Sequence, residues 1–273
     1  MNRTLIDLGF IHIQWYSVFI FIAMVTAIII VRKEAKKKKI DDDYLIDLLF
    51  YGIIIGILGA RVYYVLFNIS YYLTNPKEIF MIWNGGLAIH GGIIAALIFI
   101  YFYTKKRKKN LLLTLDILSV GVIIAQAIGR WGNFFNQEAY GRVVTKAFLQ
   151  NMHLPQFIIN GMYISGAYRE PTFLYESIAS IIGFIVLLVI RSNKKVKTGQ
   201  LSGTYLVWYG IERVIIESFR SDSLMLGPIK MAQLVSIISI VIGIYLISKN
   251  MKKDIYYHTD NIDIIRRKKC TKK

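Results

Sequence analysis

Arginine, asparagine and glutamate crowd one short stretch, Gly129-Arg130-Trp131-Gly132-Asn133-Phe134-Phe135-Asn136-Gln137-Glu138-Ala139-Tyr140-Gly141, at the end of an apolar run that begins near Leu111. The planar fork of Arg130 matches phosphate oxygens, and Asn133 and Asn136 can supply further hydrogen bonds. Glu138 can orient an arginine or a substrate hydroxyl. The plainer alternative is a helix end capped by amides, with Gly141 as a stop. A second set lies at Tyr209, Arg213 and Glu217, spaced i, i+4, i+8, with Arg220 three residues further on. That spacing puts all four along one helix stripe, where Arg213 and Glu217 either satisfy each other or serve an anionic ligand. Arg61, His90, Glu176 and Glu212 are further ionisable groups set in apolar surroundings.

The elements that carry these groups are long and oily. The chain has 273 residues, of which 55% are hydrophobic. Seven runs, about 14–31, 44–67, 86–104, 111–130, 173–190, 200–219 and 228–248, approach the roughly 20 apolar residues needed to cross a bilayer core. Basic clusters follow the first, third, fifth and seventh: Arg32 to Lys39, Lys105 to Lys109, Arg191 to Lys197, and the tail after Ser248. This alternation is the positive-inside pattern. The expected architecture is therefore an all-α polytopic membrane protein with seven transmembrane helices. Its N-terminus lies outside, its C-terminus in the cytoplasm, and an outer-side cap or arm is formed by about 131–172. Residues 1–248 make the transmembrane domain and 249–273 a basic cytoplasmic tail.

With that topology, Arg61, His90, Arg130, Asn133, Glu138, Glu176, Glu212, Arg213 and Glu217 all fall toward the outer ends of their segments. An ionisable group inside a membrane helix costs roughly 2.5–3.5 kcal/mol on insertion scales and usually faces a cavity or a partner. Convergence at one depth implies a polar, mainly cationic chamber open toward the outer leaflet. The formal charge of +17 would suggest nucleic acid on a soluble protein, but its placement in alternate loops argues for membrane topology and against nucleic acid. The N-terminal run is long, lacks a small-residue cleavage site and ends in a basic stop, so it reads as a first span. The one cysteine, Cys270, is in the tail; any thiol chemistry must use a thiol brought by a substrate. No cluster of His, Asp and Cys has metal-ligand spacing, so neither a metal nor a cofactor is expected.

The stretch Gly129 to Gly141 resembles the signature of the prolipoprotein diacylglyceryl transferases, bacterial integral-membrane enzymes. Other blocks agree in order: Gln14-Trp15-Tyr16, Gly85-Gly86-Leu87-Ala88-Ile89-His90-Gly91-Gly92, Pro171-Thr172-Phe173-Leu174-Tyr175-Glu176, and Tyr209-Gly210-Ile211-Glu212-Arg213 running to Glu217, Arg220 and Asp222. The resemblance spans roughly residues 10–245. It departs before the Pro-Thr block, where many members have histidine and this chain has Glu170, to which no role is assigned.

The resemblance implies a reaction in the bacterial cytoplasmic membrane. The diacylglyceryl group of phosphatidylglycerol passes to the lipobox cysteine thiol of a prolipoprotein, a thioether forms, and glycerol phosphate leaves. It also implies roles. His90 would take the thiol proton, its ordinary pKa lying near neutrality. Arg130 and Arg213 would stabilise charge on the leaving phosphate, with Glu217 and Glu138 holding them. Tyr16 and Asn133 would position the headgroup, and Tyr209, Arg220 and Arg61 would complete the substrate-binding set. Each residue has a structural alternative: His90 as a core histidine, Tyr16 in an interfacial aromatic belt, Arg61 in a bundle ion pair. Two other functions are compatible with the same groups. A channel or transporter for an anion would show charge through the full membrane thickness or an internal repeat, and a non-catalytic lipid-binding factor would bind without product.

Overall fold

A computed structural model describes residues 4–7, 12–193, 195–221, 225–226 and 229–251. Asp222, Cys270 and the basic tail beyond Met251 lie outside the described residues, so the expectations placed on them are not addressed. In chain order the helices are α1 (Trp15–Lys37), α2 (Asp42–Phe67), α3 (Ile69–Thr74), α4 (Ile89–Lys106), α5 (Leu111–Asn136), α6 (Lys146–Asn151), α7 (Gln156–Gly161), α8 (Thr172–Ser192), α9 (Gln200–Phe219) and α10 (Met231–Met251). Short antiparallel strands lie between some of them: β1 (Thr4–Asp7) with β2 (His12–Gln14), the sheet β3 (Val143–Val144), β5 (Ala167–Arg169), β4 (Tyr163–Ile164) in that spatial order, and β6 (Met225–Leu226) with β7 (Ile229–Lys230).

The fold is mostly helical, and the seven expected runs correspond to α1, α2, α4, α5, α8, α9 and α10. Five of these, α1, α2, α5, α8 and α10, are long and apolar enough to cross a membrane. The two that fall short are α4, which opens on His90-Gly91-Gly92 and ends on Lys105-Lys106, and α9, which carries Glu212, Arg213 and Glu217.

The described residues divide into two compact units, one running up to Val31 and resuming from Leu115 to Met251, the other Arg32–Thr114. In the first, small residues let helices approach closely, as is usual in membrane bundles. A Cβ on Gly210 would come within 2.5 Å of Ile240 Cγ1, and one on Gly203 within 2.9 Å of the Gly243 carbonyl oxygen, which brings α9 against α10. Gly183 similarly accepts Trp208 between α8 and α9: a Cβ there would lie 2.4 Å from the indole Nε1, which donates to the Ala179 carbonyl at 3.0 Å.

Helix ends in this unit are closed by remote side chains. Gly199 begins α9 with no side-chain cap of its own. The fully buried carboxylate of Asp116, on α5, accepts instead from Gly199 N at 2.6 Å and from Ser202 N and Oγ at 2.8 Å each. A carboxylate at a helix N-terminus satisfies open N–H groups and complements the dipole. Asp116 therefore anchors the start of α9. At the other end Lys230 Nζ donates to the Glu217 and Arg220 carbonyls at 2.6 and 2.9 Å.

The stretch of about 131–172, expected as a cap or arm, folds into defined elements. Here α5 runs on to Asn136, and the chain then builds α6, α7 and the three-stranded sheet. Phe134, Leu149, Ile158, Ile159, Met162, Ile164 and Phe173 form its buried core, anchored on both flanking helices.

In the second unit, α2 packs on α4 through Gly59 and Gly91: a Cβ on Gly91 would sit 2.5 Å from the Gly59 carbonyl oxygen. Asp41 caps α2, accepting from Asp43 N at 3.2 Å. The α2–α4 connection contains α3 and two short 3-10 turns, Pro76–Phe80 and Ile82–Asn84. Within it the Tyr71 hydroxyl donates to Glu78 Oε2 at 2.8 Å, and that bond to a carboxylate is the main reason its pKa is raised above 10.0.

Candidate active site

The Gly129–Gly141 stretch begins as helix and ends as a turn. At the end of α5, Gln137 takes a left-handed conformation with φ 54°. Its N–H bonds to the Phe134 carbonyl at 3.1 Å, while Glu138 N–H bonds to the Asn133 carbonyl at 3.0 Å. This is the double bond pattern that closes a helix C-terminus. It folds Glu138 back over the last turn, where Asn133 Nδ2 donates to Glu138 Oε1 at 2.8 Å and Asn136 Nδ2 reaches the same oxygen at 3.5 Å. Arg130, one turn before Asn133, donates from Nη1 to its Oδ1 at 3.4 Å. The helix end is capped, but by the backbone at Gln137 and not by Gly141 as a stop, and the same capping turn arranges the polar set.

The centre of the site is a residue to which the sequence attached no function. Glu176, in the first turns of α8, has a side chain only 2% exposed. Its Oε2 lies 2.5 Å from Arg130 Nε, and its Oε1 pairs with Arg213 Nη1. Arg213 Nη2 in turn sits 2.7 Å from Glu217 Oε2, and Arg220 Nη1 stands 3.8 Å from that same oxygen. Guanidinium and carboxylate groups from α5, α8 and α9 therefore form one chain, Arg130–Glu176–Arg213–Glu217–Arg220. The side chains of Arg130 and Arg213 are 22% and 14% exposed. Such pairs offset desolvation by mutual attraction, and removing one member leaves a costly unpaired charge.

The stripe expected on α9 holds for Arg213 and Glu217. Arg220 lies just past the helix, at its C-cap with extended backbone (φ −75°, ψ 138°), yet it still approaches Glu217. Tyr209 stacks on Tyr205, ring centroids 6.1 Å apart, a turn deeper. Expected supports also change places: Arg130 is held directly by Glu176, and Glu138 reaches it through Asn133. Glu212 accepts from Ser180 Oγ at 3.2 Å. The signal that could have singled out Glu176 was present: a carboxylate at the start of an apolar run, at the depth of two arginines, requires a cation.

Tyr16 lies against the α5 end. Gly132 has no side chain there because a Cβ would come 3.0 Å from Tyr16 Cδ2, while the neighbouring Trp15 stacks on Phe135 at 4.9 Å. Gly141 is equally enclosed, since a Cβ would meet Glu170 Cβ at 2.8 Å. The backbone then joins the end of α9: Arg142 N–H bonds to the Phe219 carbonyl at 3.1 Å, and Ser221 Oγ donates to the Gly141 carbonyl at 3.0 Å. Glu170 is a buried staple, 2.9 Å from Arg142 Nε and accepting the Tyr175 hydroxyl at 3.2 Å. An apolar groove of about 240 Å³ is lined by Phe19, Ile124, Ala127, Ile128, Trp131, Ser177 and Ile181.

Arg61 and His90 belong to the other unit. Arg61 is buried and engages backbone carbonyls of the α2–α4 connection rather than a carboxylate, so the ion-pair alternative does not apply. His90 is the second residue of α4, exposed, and its side chain makes no hydrogen bond to another described residue, so it is not a carbonyl-bonded core histidine. No group of three or more His, Cys, Asp or Glu suited to a metal ion occurs among the described residues.

A carboxylate-tied pair of arginines, framed by amides and placed at matching helix ends, is chemistry for gripping an anion. The comparisons with known proteins agree with the resemblance carried by the motifs. A profile of the prolipoprotein diacylglyceryl transferase family matches residues 3–249. The phosphatidylglycerol–prolipoprotein diacylglyceryl transferase of Listeria innocua is 45% identical over 271 residues, covering 98% of each chain. The enzyme of the same name from Staphylococcus carnosus is 47% identical over 242 residues, covering 88% of this chain and 87% of its own. That of Streptococcus agalactiae is 46% identical over 249 residues, covering 90% and 95%. With identity this high along nearly the whole length, and the arginines of the signature drawn together through Glu176, the chain belongs to the prolipoprotein diacylglyceryl transferase family.

Proposed function

We propose that the protein transfers the diacylglyceryl group of phosphatidylglycerol to the lipobox cysteine thiol of prolipoproteins, the first step of bacterial lipoprotein lipidation. The observation that carries the mechanism is the Arg130–Glu176–Arg213 bridge. Sulfur attacks the glycerol carbon that bears the phosphate ester; the carbon–oxygen bond breaks, and both its electrons leave with glycerol phosphate. Negative charge grows on the leaving oxygen, and fixed guanidinium groups lower the barrier most when they are placed before the reaction begins. Glu176 does that placing.

Asn133, Glu138 and Tyr16 frame the headgroup beside Arg130, while Glu217, Tyr209 and Arg220 complete the set along α9. The apolar groove next to Ala127 and Trp131 suits an acyl chain whose headgroup lies at Arg130. His90 accepts the thiol proton, a role its exposure and lack of hydrogen-bond partner support, because a thiolate is the stronger nucleophile. The same reading places seven crossings in the cytoplasmic membrane, with the N-terminus and the 137–171 cap outside, and needs neither metal nor cofactor.

Purified protein in detergent, given phosphatidylglycerol and a lipobox peptide, tests this by thioether formation. Arg130→Ala and Arg213→Ala are expected to insert and fold yet lose at least about 100-fold in transfer, the scale of removing one preorganised donor. Transfer at the wild-type rate in either variant would refute its phosphate role. Ion flux without product would favour the channel reading.

A further inference from the structure

We propose that Arg61 is a positioning residue for His90. This rests on the reading of His90 as a reacting group and deepens it. Arg61 lies in the half of α2 nearest the α2–α4 connection and is 7% exposed. Nε donates to the Ile79 carbonyl at 2.8 Å, Nη1 to Gly85 at 2.8 Å and Gly86 at 3.0 Å, and Nη2 to Glu78 at 2.5 Å and Met81 at 3.5 Å. The Tyr72 ring stacks 5.3 Å from the guanidinium carbon. A guanidinium has five N–H donors; here each of its three nitrogens is spent on backbone carbonyls of a single loop.

That loop ends in the first turn of α4. Gly85 and Gly86 have φ of 86° and 75°, a region open to glycine at no steric cost, and this turns both carbonyls toward Arg61. A Cβ on Gly86 would come 2.5 Å from Nη1. Ala88 N–H bonds to the carbonyl of Ala60, the neighbour of Arg61, at 3.0 Å. Gly91, the residue after His90, is pressed against Gly59 and Tyr63. The position of His90 is therefore inherited from α2 through the loop, because its own ring bonds to no described residue.

Lysine, with one nitrogen and three donors, cannot span these carbonyls. Arg61→Lys is thus expected to let the loop and the start of α4 drift while keeping the charge. A displacement of about 1 Å in a reacting group costs on the order of 100-fold in rate. Arg61 also borders a cavity of about 410 Å³, so a headgroup ligand is the competing role, and the two predict different kinetics.

The test measures kcat and KM for phosphatidylglycerol, per folded enzyme, in Arg61→Lys, Gly86→Ala, His90→Asn and the two double variants with His90→Asn. Positioning predicts that Arg61→Lys and Gly86→Ala lose about 10- to 100-fold in kcat with KM held, and that neither adds to the loss in His90→Asn. A raised KM with kcat kept would make Arg61 a lipid ligand and overturn the inference. So would losses that multiply with His90→Asn, wild-type kcat in both single variants, or failure of both to fold, which would mark a stability residue only. His90→Asn turning over at the wild-type rate would instead overturn the assignment of His90 beneath it.

Discussion

Glu176 faces two guanidinium groups from different helices, and that geometry sets what its replacement should do. Glu176→Gln keeps the shape of the side chain but removes the charge that holds Arg130 and Arg213 together. Breaking a buried pair of this kind costs about 3 kcal/mol or more. We expect a clear fall in the thermal unfolding midpoint in detergent, together with a loss of transfer. Glu176→Asp, one methylene shorter, should retain the charge yet reach only one arginine, giving an intermediate rate. Wild-type transfer in Glu176→Gln would show that the arginines need no carboxylate to place them. The residues of the signature could be read from the chain because type and local spacing carry the information: Arg130, Asn133 and Glu138 lie within a turn or two of one another. Glu176 could not be assigned in that way, since it pairs with Arg213 across 37 residues of sequence.

Among the elements, α9 carries the most chemistry and is held at both ends by side chains from elsewhere. Asp116 closes its start and Lys230 its finish. Asp116→Asn should weaken the hydrogen bonds to Gly199 and Ser202 and destabilise the protein by about 1–3 kcal/mol, the cost of leaving buried donors unsatisfied. Because Asp116 lies at the opposite end of α9 from Arg213, the rate of the folded fraction should be kept; unfolding and activity measured side by side would check this. Helix positions were legible from runs of about 20 apolar residues bounded by basic clusters. The 137–171 segment was less so. Its short helices and three-stranded sheet are stabilised by a core shared with Phe134 and Phe173, and no local pattern encodes that.

For the whole molecule, the alternation of basic loops makes a prediction about sidedness. In a Cys270→Ser background, a cysteine placed at exposed Gln156 should react with an impermeant thiol reagent added to cells whose inner membrane is intact. One placed at exposed Lys108 should react only after that membrane is opened. The reverse pattern would invert the topology and with it the proposed access of the site to the outer leaflet. Charge interrupts the apolar character of α9, at Glu212, Arg213 and Glu217, whereas the lysines of α4 stand only at its end.

The account stands most directly on where a phosphate binds. A structure of the protein with an unreactive phosphatidylglycerol analogue would show it. We expect a phosphate oxygen within about 2.7–2.9 Å of nitrogens on both Arg130 and Arg213, the range of charge-assisted hydrogen bonds, with Glu176 still between the two. A phosphate bound elsewhere, with both arginines turned only toward Glu176, would contradict it.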